Sequence, residues 1–139
     1  FLVQRLPAWS RNELSRLIKT PKLHFLDTGL LAALTSTNAD RVQADRTRYG
    51  PLLENFVVSE VFKLLSWSDR RLRVSHFRTK EQDEVDLVIE DRQGRVVGIE
   101  VKASATVRPN DLRGLRQLQN SGKVAQYLLE IQQPLSLTP

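Results

Sequence analysis

Cysteine is missing from this 139-residue chain, and so is methionine. Without cysteine there is no disulfide framework and no thiolate metal centre, which suits a reducing cytoplasmic setting. Any bound metal must be held by oxygen or nitrogen. No apolar run approaches the roughly 18 residues of a membrane-spanning helix, and no signal-peptide pattern is present. Methionine is lacking even at position 1, where the chain opens on "FLVQRL", so we expect a piece of a longer protein.

What is present is the composition of an ordinary globular domain, 40% hydrophobic and 27% charged. The length suits one domain with its own core. Twenty-one basic residues against 16 acidic ones leave a net charge of +5. That excess admits a polyanionic partner, most commonly nucleic acid, but no long basic run occurs and a solvated surface explains the excess equally well.

Two strand-like stretches, "FLVQRLPAW" (1–9) and "KLHFL" (22–26), flank the polar insert 10–21. "DTGLLAALTS" reads as a short helix capped by Asp27 or Thr28. Residues 36–49 are polar and poorly patterned, which predicts a surface connection. Gly50-Pro51 then punctuates the chain before the main helix, "LLENFVVSEVFKLLSW", with Trp67 ending its core.

Strand patterns follow at 71–78, 84–91 and 95–104. Leu112, Leu115 and Leu118 have helical spacing, with Gly122 as a stop, and "KVAQYLLEI" is a last strand. The order α-β-β-β-α-β implies a mixed central sheet flanked by helices, the last helix crossing between two parallel strands. His24 and His76 read as strand residues, not ligands.

Arg92-Gln93-Gly94 has the form of a three-residue hairpin loop with a left-handed glycine last. Pairing Asp91 with Arg95 across that loop sets Asp86 opposite Glu100, with Lys102 on the same face. Val85, Leu87, Ile89, Ile99 and Val101 are expected on the other face. Carboxylates held that close repel unless a cation or shared proton lies between them, and a hard divalent ion meets the need. On a helical wheel Glu54 lies within ~80° of Val57, Val58, Val61, Phe62, Leu64 and Leu65, whereas Glu60 points elsewhere. Glu54 is therefore expected to face the sheet, where a carboxylate is costly without a partner. An E-x-K on a strand taken alone is more often an exposed ion pair. The ordered set of helix Glu, strand Asp and E-x-K shifts the balance to a site.

That set, Glu54, Asp86 and Glu100-Val101-Lys102, resembles the signature of the PD-(D/E)xK nuclease superfamily. More narrowly, "KLHFLDTGLLAALT", "GPLLENFVVSEVFKLL", "HFRTKEQDEVDLVIE" and "IEVKAS" resemble a domain of unknown function in the C-terminal part of bacterial and archaeal AAA+-type ATPases. The resemblance covers about residues 20–120. It implies a restriction-endonuclease-like α/β fold over residues 27–139, with residues 1–26 as the tail of a linker or winged-helix segment. The partners it implies are DNA and an N-terminal ATPase module of the same chain. No G-x-x-x-x-G-K-[ST] motif occurs, so any ATP site lies in that other module.

By the same resemblance the activity is Mg²⁺- or Mn²⁺-dependent phosphodiester hydrolysis, favouring DNA over RNA. Asp86 and Glu100 hold the metal, the Val101 carbonyl adds a ligand, Glu54 completes the site directly or through water, and Lys102 handles the attacking water. The alternative is an inactive nuclease-like module that binds nucleic acid or protein for the ATPase. A third reading is a regulatory or oligomerisation domain whose acidic site binds a structural ion. Arg108, Arg113, Arg116 and Lys123 are candidate phosphate contacts, with solvated surface as the default. Gln117 and Gln119 sit where some superfamily branches use a glutamine, and neither is given a role.

Overall fold

The computed structural model describes residues 2–9, 20–104, 106, 108–121 and 124–130, the last seven by backbone alone. The elements run β1 (Val3–Leu6), β2 (Lys22–Phe25), α1 (Thr28–Leu34), α2 (Ala39–Ala44), a 3₁₀ turn (Arg46–Arg48) and α3 (Tyr49–Ser66). Then come β3 (Arg73–Arg78), β4 (Glu84–Glu90), β5 (Val96–Lys102), a 3₁₀ turn (Pro109–Leu112), α4 (Arg113–Asn120) and β6 (Val124–Glu130). The main sheet has the order β3-β4-β5-β6, antiparallel except for the parallel β5–β6 pair that α4 connects. The expected mixed sheet with a helical crossover is present.

Local chemistry explains most of the boundaries. Asp27 caps α1 by accepting the Leu30 N–H at 2.6 Å. Asn38 caps α2 by accepting the Arg41 N–H at 2.9 Å. The stretch 36–49 is therefore not the plain connection expected: an asparagine cap and an Asp45 turn fold it into α2 and a 3₁₀ turn, both exposed. Gly50 and Pro51 lie inside the first turn of α3, where proline lacks only an N–H that has no helical partner. Gly122 lies outside the described residues.

The sheet buries apolar side chains on both faces. On one, Leu6 of β1 and Val58 of α3 pack with Leu87, flanked by Val61, Phe62, Val74 and Ile99. On the other, Leu115 and Leu118 of α4 pack with Val85, Val88, Val96, Phe77 and Trp9. The leucine spacing of α4 thus marks its buried stripe, with Leu112 packed alongside. Truncating such a leucine costs on the order of 2–5 kcal/mol. Gly98 is the contact point: a Cβ there would stand 2.8 Å from Leu118 and 2.9 Å from Leu115.

Two expectations for packing fail. Leu64 (69% exposed) and Trp67 (88% exposed) are not core, because the buried residues of α3 all lie between Leu53 and Ser59. Nor do Val85, Leu87 and Ile89 share one face. Ser75 pairs with Val88 but Phe77 pairs with Val85, so Asp86 and Leu87 together stand opposite His76. This is a β-bulge, and it breaks the alternation. Val85 turns to α4, whereas Leu87 turns to α3, the helix that carries Glu54.

Candidate functional site

The hairpin of β4 and β5 has the expected register: Glu90–Val96, Ile89–Val97, Val88–Gly98 and Leu87–Ile99 are opposed. Gly94 has φ 73°, the left-handed conformation that the loop requires. The next pair in this register is Asp86–Glu100, but the ladder ends one pair earlier. There the Val101 N–H donates to Asp86 Oδ2 at 2.9 Å. Asp86 thus takes the place of a ladder carbonyl, and the bulge and the fork in the sheet coincide at this residue.

The other Asp86 oxygen meets a residue that sequence reasoning missed. Lys22, from β2, places its Nζ 3.1 Å from Asp86 Oδ1, 3.0 Å from Glu54 Oε1 and 3.4 Å from Glu84 Oε2. Glu84 also meets Arg78 Nε at 2.7 Å. The structure therefore brings Glu54 to Asp86 as the helical wheel predicts, but through a lysine. Glu60 instead pairs with Lys63 at 2.6 Å. Its side chain is 42% exposed against 30% for Glu54, a smaller contrast than expected.

Asn55 anchors this arrangement. It is buried beside Glu54, accepts the Phe25 N–H at 2.7 Å and donates to the Phe25 carbonyl at 3.1 Å. Its amide thereby mimics a neighbouring strand and fixes β2 to α3. A polar residue on an apolar helix stripe was its signal in the sequence. Lys22 left none, because its partners lie 32, 62 and 64 residues away and only the tertiary fold joins them.

Glu100 is buried, and its Oε1 meets Lys102 Nζ at 2.8 Å. Its Oε2 is fully buried with no hydrogen-bond partner among the described residues. Burial, and then the charge of Asp86, push the Glu100 carboxyl up from 4.5 to about 7. Burial and Asp86 raise Glu54 also, with Lys22 opposing. Burial works against the charge on Lys22, but Asp86 and Glu54 outweigh it and raise the ammonium above its ordinary value. Lys102 is raised likewise, burial being outweighed by Glu100.

The donor set is all oxygen, which suits a hard cation, and the orphaned Glu100 oxygen is a place where a cation or proton is needed. Among the described residues no three Asp, Glu or His side chains are grouped to hold an ion by themselves. A lysine stands among Glu54, Glu84 and Asp86 instead. Of the basic residues near the crossover helix, Arg113 pairs with Asp83 at 3.2 Å, Arg108 and Arg116 are exposed, and Lys123 lies outside the described residues. Gln117 and Gln119 are exposed. His24 and His76 are buried strand residues.

Residues 49–135 match the model of a family described as a domain of unknown function (DUF4143), and residues 1–41 match that of a second domain of unknown function (DUF8612). The chain is 32% identical over 116 residues to an uncharacterized protein of Mycobacterium bovis and, to the same degree, to one of Mycobacterium tuberculosis. Each match takes in 83% of this chain and 24% of the relative, so the chain spans about a quarter of the length of these relatives. No solved structure matches.

Proposed function

The chain belongs to the DUF4143 family of domains of unknown function, and from that footing we propose a metal-dependent nuclease-like domain with a restriction-endonuclease-like core. Its reaction is phosphodiester hydrolysis, with DNA as the favoured substrate. The observation that carries this reading is the fork at Asp86. Asp86 accepts the Val101 N–H where the β4–β5 ladder ends and shares Lys22 with the helix-borne Glu54, while Glu100 of β5 is buried with one oxygen unpaired and the other on Lys102.

In this reading Asp86, Glu100, Glu54 and the Val101 carbonyl hold Mg²⁺ or Mn²⁺. Such an ion, when bound, supplies the charge that acidifies a water and neutralises the leaving oxygen. Lys102 orients the attacking water and offsets phosphate charge, and Glu100 sets the position of Lys102 through their 2.8 Å contact. The Val101 N–H fixes the rotamer of Asp86. We place the domain in the cytoplasm, in the C-terminal part of an AAA+-type ATPase whose other module binds ATP. Among the described residues no helix is long and apolar enough to cross a membrane.

Lys22 favours a second reading, an inactive nuclease-like module that binds nucleic acid or protein for the ATPase. Its ammonium already neutralises part of the acidic cluster. Plasmid and branched-DNA cleavage in Mg²⁺ or Mn²⁺, with Asp86→Ala as control, separates the two. The nuclease reading expects metal-dependent cleavage that the variant loses. Salt-sensitive DNA binding without cleavage supports the module instead.

A further inference from the structure

Lys22 belongs to a strand outside the main sheet: among the described residues β2 pairs with β1 alone, in a separate two-stranded sheet. Its ammonium has three N–H donors and three carboxylates within 3.4 Å. Around the fork, Glu54, Glu84, Asp86 and Glu100 are met by Lys22, Arg78 and Lys102. Among these described side chains four formal negative charges thus face three positive ones. Without Lys22 the deficit doubles, and Asp86 Oδ1 and Glu54 Oε1 lose their cation together.

We infer that Lys22 is a built-in counter-cation that keeps divalent metal off Asp86 and Glu54, so that metal binds only when the lysine leaves its place. This rests on the metal-site reading above. An ammonium and a divalent ion cannot share the same two oxygens, because like charges at contact distance repel strongly inside a protein. The unpaired Glu100 Oε2 is an independent sign of a place that a cation or a proton fills, because Lys102 satisfies only the other oxygen. Lys22 has a way out, since its side chain is 20% exposed. The position of β2, fixed to α3 by Asn55, thereby sets the metal affinity of Asp86 and Glu54.

Mn²⁺ titration calorimetry on wild type, Lys22→Gln and Lys22→Arg at constant ionic strength tests this. If the lysine leaves its place less than about a tenth of the time, removing it tightens Mn²⁺ binding about tenfold or more. Lys22→Arg keeps the charge and stays near wild type. Metal-free Lys22→Gln melts below wild type, and Mn²⁺ closes the gap. Should that variant be unfolded without metal, Mn²⁺ restores its circular-dichroism spectrum. Mn²⁺ affinity in Lys22→Gln equal to or below that of wild type, or no rescue of an unfolded variant, overturns the inference and leaves Lys22 a structural residue. Cleavage measured on the same samples keeps the two readings apart. Tighter metal without cleavage retains the gate and discards the nuclease. Wild-type cleavage without an affinity gain in Lys22→Gln does the reverse.

Discussion

Asp86 and Val101 are joined by a 2.9 Å hydrogen bond from backbone amide to carboxylate, at the point where the ladder between their strands has ended. The bond does for β5 what a carbonyl of β4 does elsewhere in the hairpin. Asp86→Ala leaves a part-buried N–H without its partner and takes one of three carboxylates from Lys22. We expect a loss of about 2–4 kcal/mol in urea unfolding, from the unsatisfied amide and the weakened ion cluster. Asp86→Asn keeps an oxygen for the Val101 amide, and its loss should be less than half as large. Equal losses would mean that the charge, not the bond to Val101, holds the fork.

Gly114 gives a second test, from the opposite side of the same strand. A Cβ built there would stand 1.7 Å from the Glu84 carbonyl oxygen and 2.5 Å from its carbon. Both are backbone atoms, so α4 or β4 must move. Gly114→Ala should cost about 3 kcal/mol by overpacking, and should disturb Glu84 and Asp86 as well. Gly50→Ala is the contrast: nothing lies within 4 Å of its Cβ position, in the first turn of α3. That change should be neutral or stabilising by a few tenths of a kcal/mol, through helix propensity. Thermal melts of the two variants should shift in opposite directions or, for Gly50, not at all.

The pH dependence of stability carries a third. Burial first, and the Lys22 charge next, lower His24 from 6.5 to about 4. The folded state therefore binds fewer protons than the unfolded state between those values. Its contribution is complete above pH 6.5 and is lost as the pH falls toward 4. After allowance for solvent screening this amounts to roughly 1–2 kcal/mol. His24→Gln has no such proton to bind. The stability difference between variant and wild type, from urea melts at pH 7.5 and pH 4.5, should shift in the variant's favour by that amount on acidification. A difference that does not change with pH would mean that His24 titrates as it does in water.

Much of the hairpin could be read from the chain, because register follows from local facts. Gly94 fixes the turn, the apolar alternation fixes the strands, and together they set Asp86 toward Glu100. Glu54 was found by helical periodicity, another local rule. The bulge was not legible. It depends on how many residues β3 and β4 place between the Ser75–Val88 and Phe77–Val85 pairs, and nothing in "EVDLVIE" marks it. Lys22 was missed for a related reason: its partners come from α3 and β4, and "KLHFL" reads as a plain strand. Trp67 is the opposite case: an aromatic residue that ends an apolar helical pattern reads as core, although the helix buries its face earlier.

Glu100 and Lys102 supply the last test, which bears on the chemistry. The pair is joined at 2.8 Å, and Glu100 has an oxygen to spare. If that oxygen and Asp86 take a divalent ion, Mn²⁺ should stabilise the fold by about 2.7 kcal/mol at a hundredfold excess over its dissociation constant. Glu100→Gln and Asp86→Asn each remove a ligand charge, and either should reduce that gain at the same Mn²⁺ concentration. Lys102→Ala removes a neighbouring positive charge instead, so its Mn²⁺ stabilisation should be equal to or larger than that of wild type. Cleavage by Lys102→Ala should nonetheless fall, because the attacking water loses the group that orients it. Thermal melts with and without Mn²⁺, beside the DNA cleavage assay, give both quantities for each variant. A Lys102→Ala variant that loses metal binding in step with Glu100→Gln would show that the lysine only shapes the carboxylate. The assignment of Lys102 to the water would then fail.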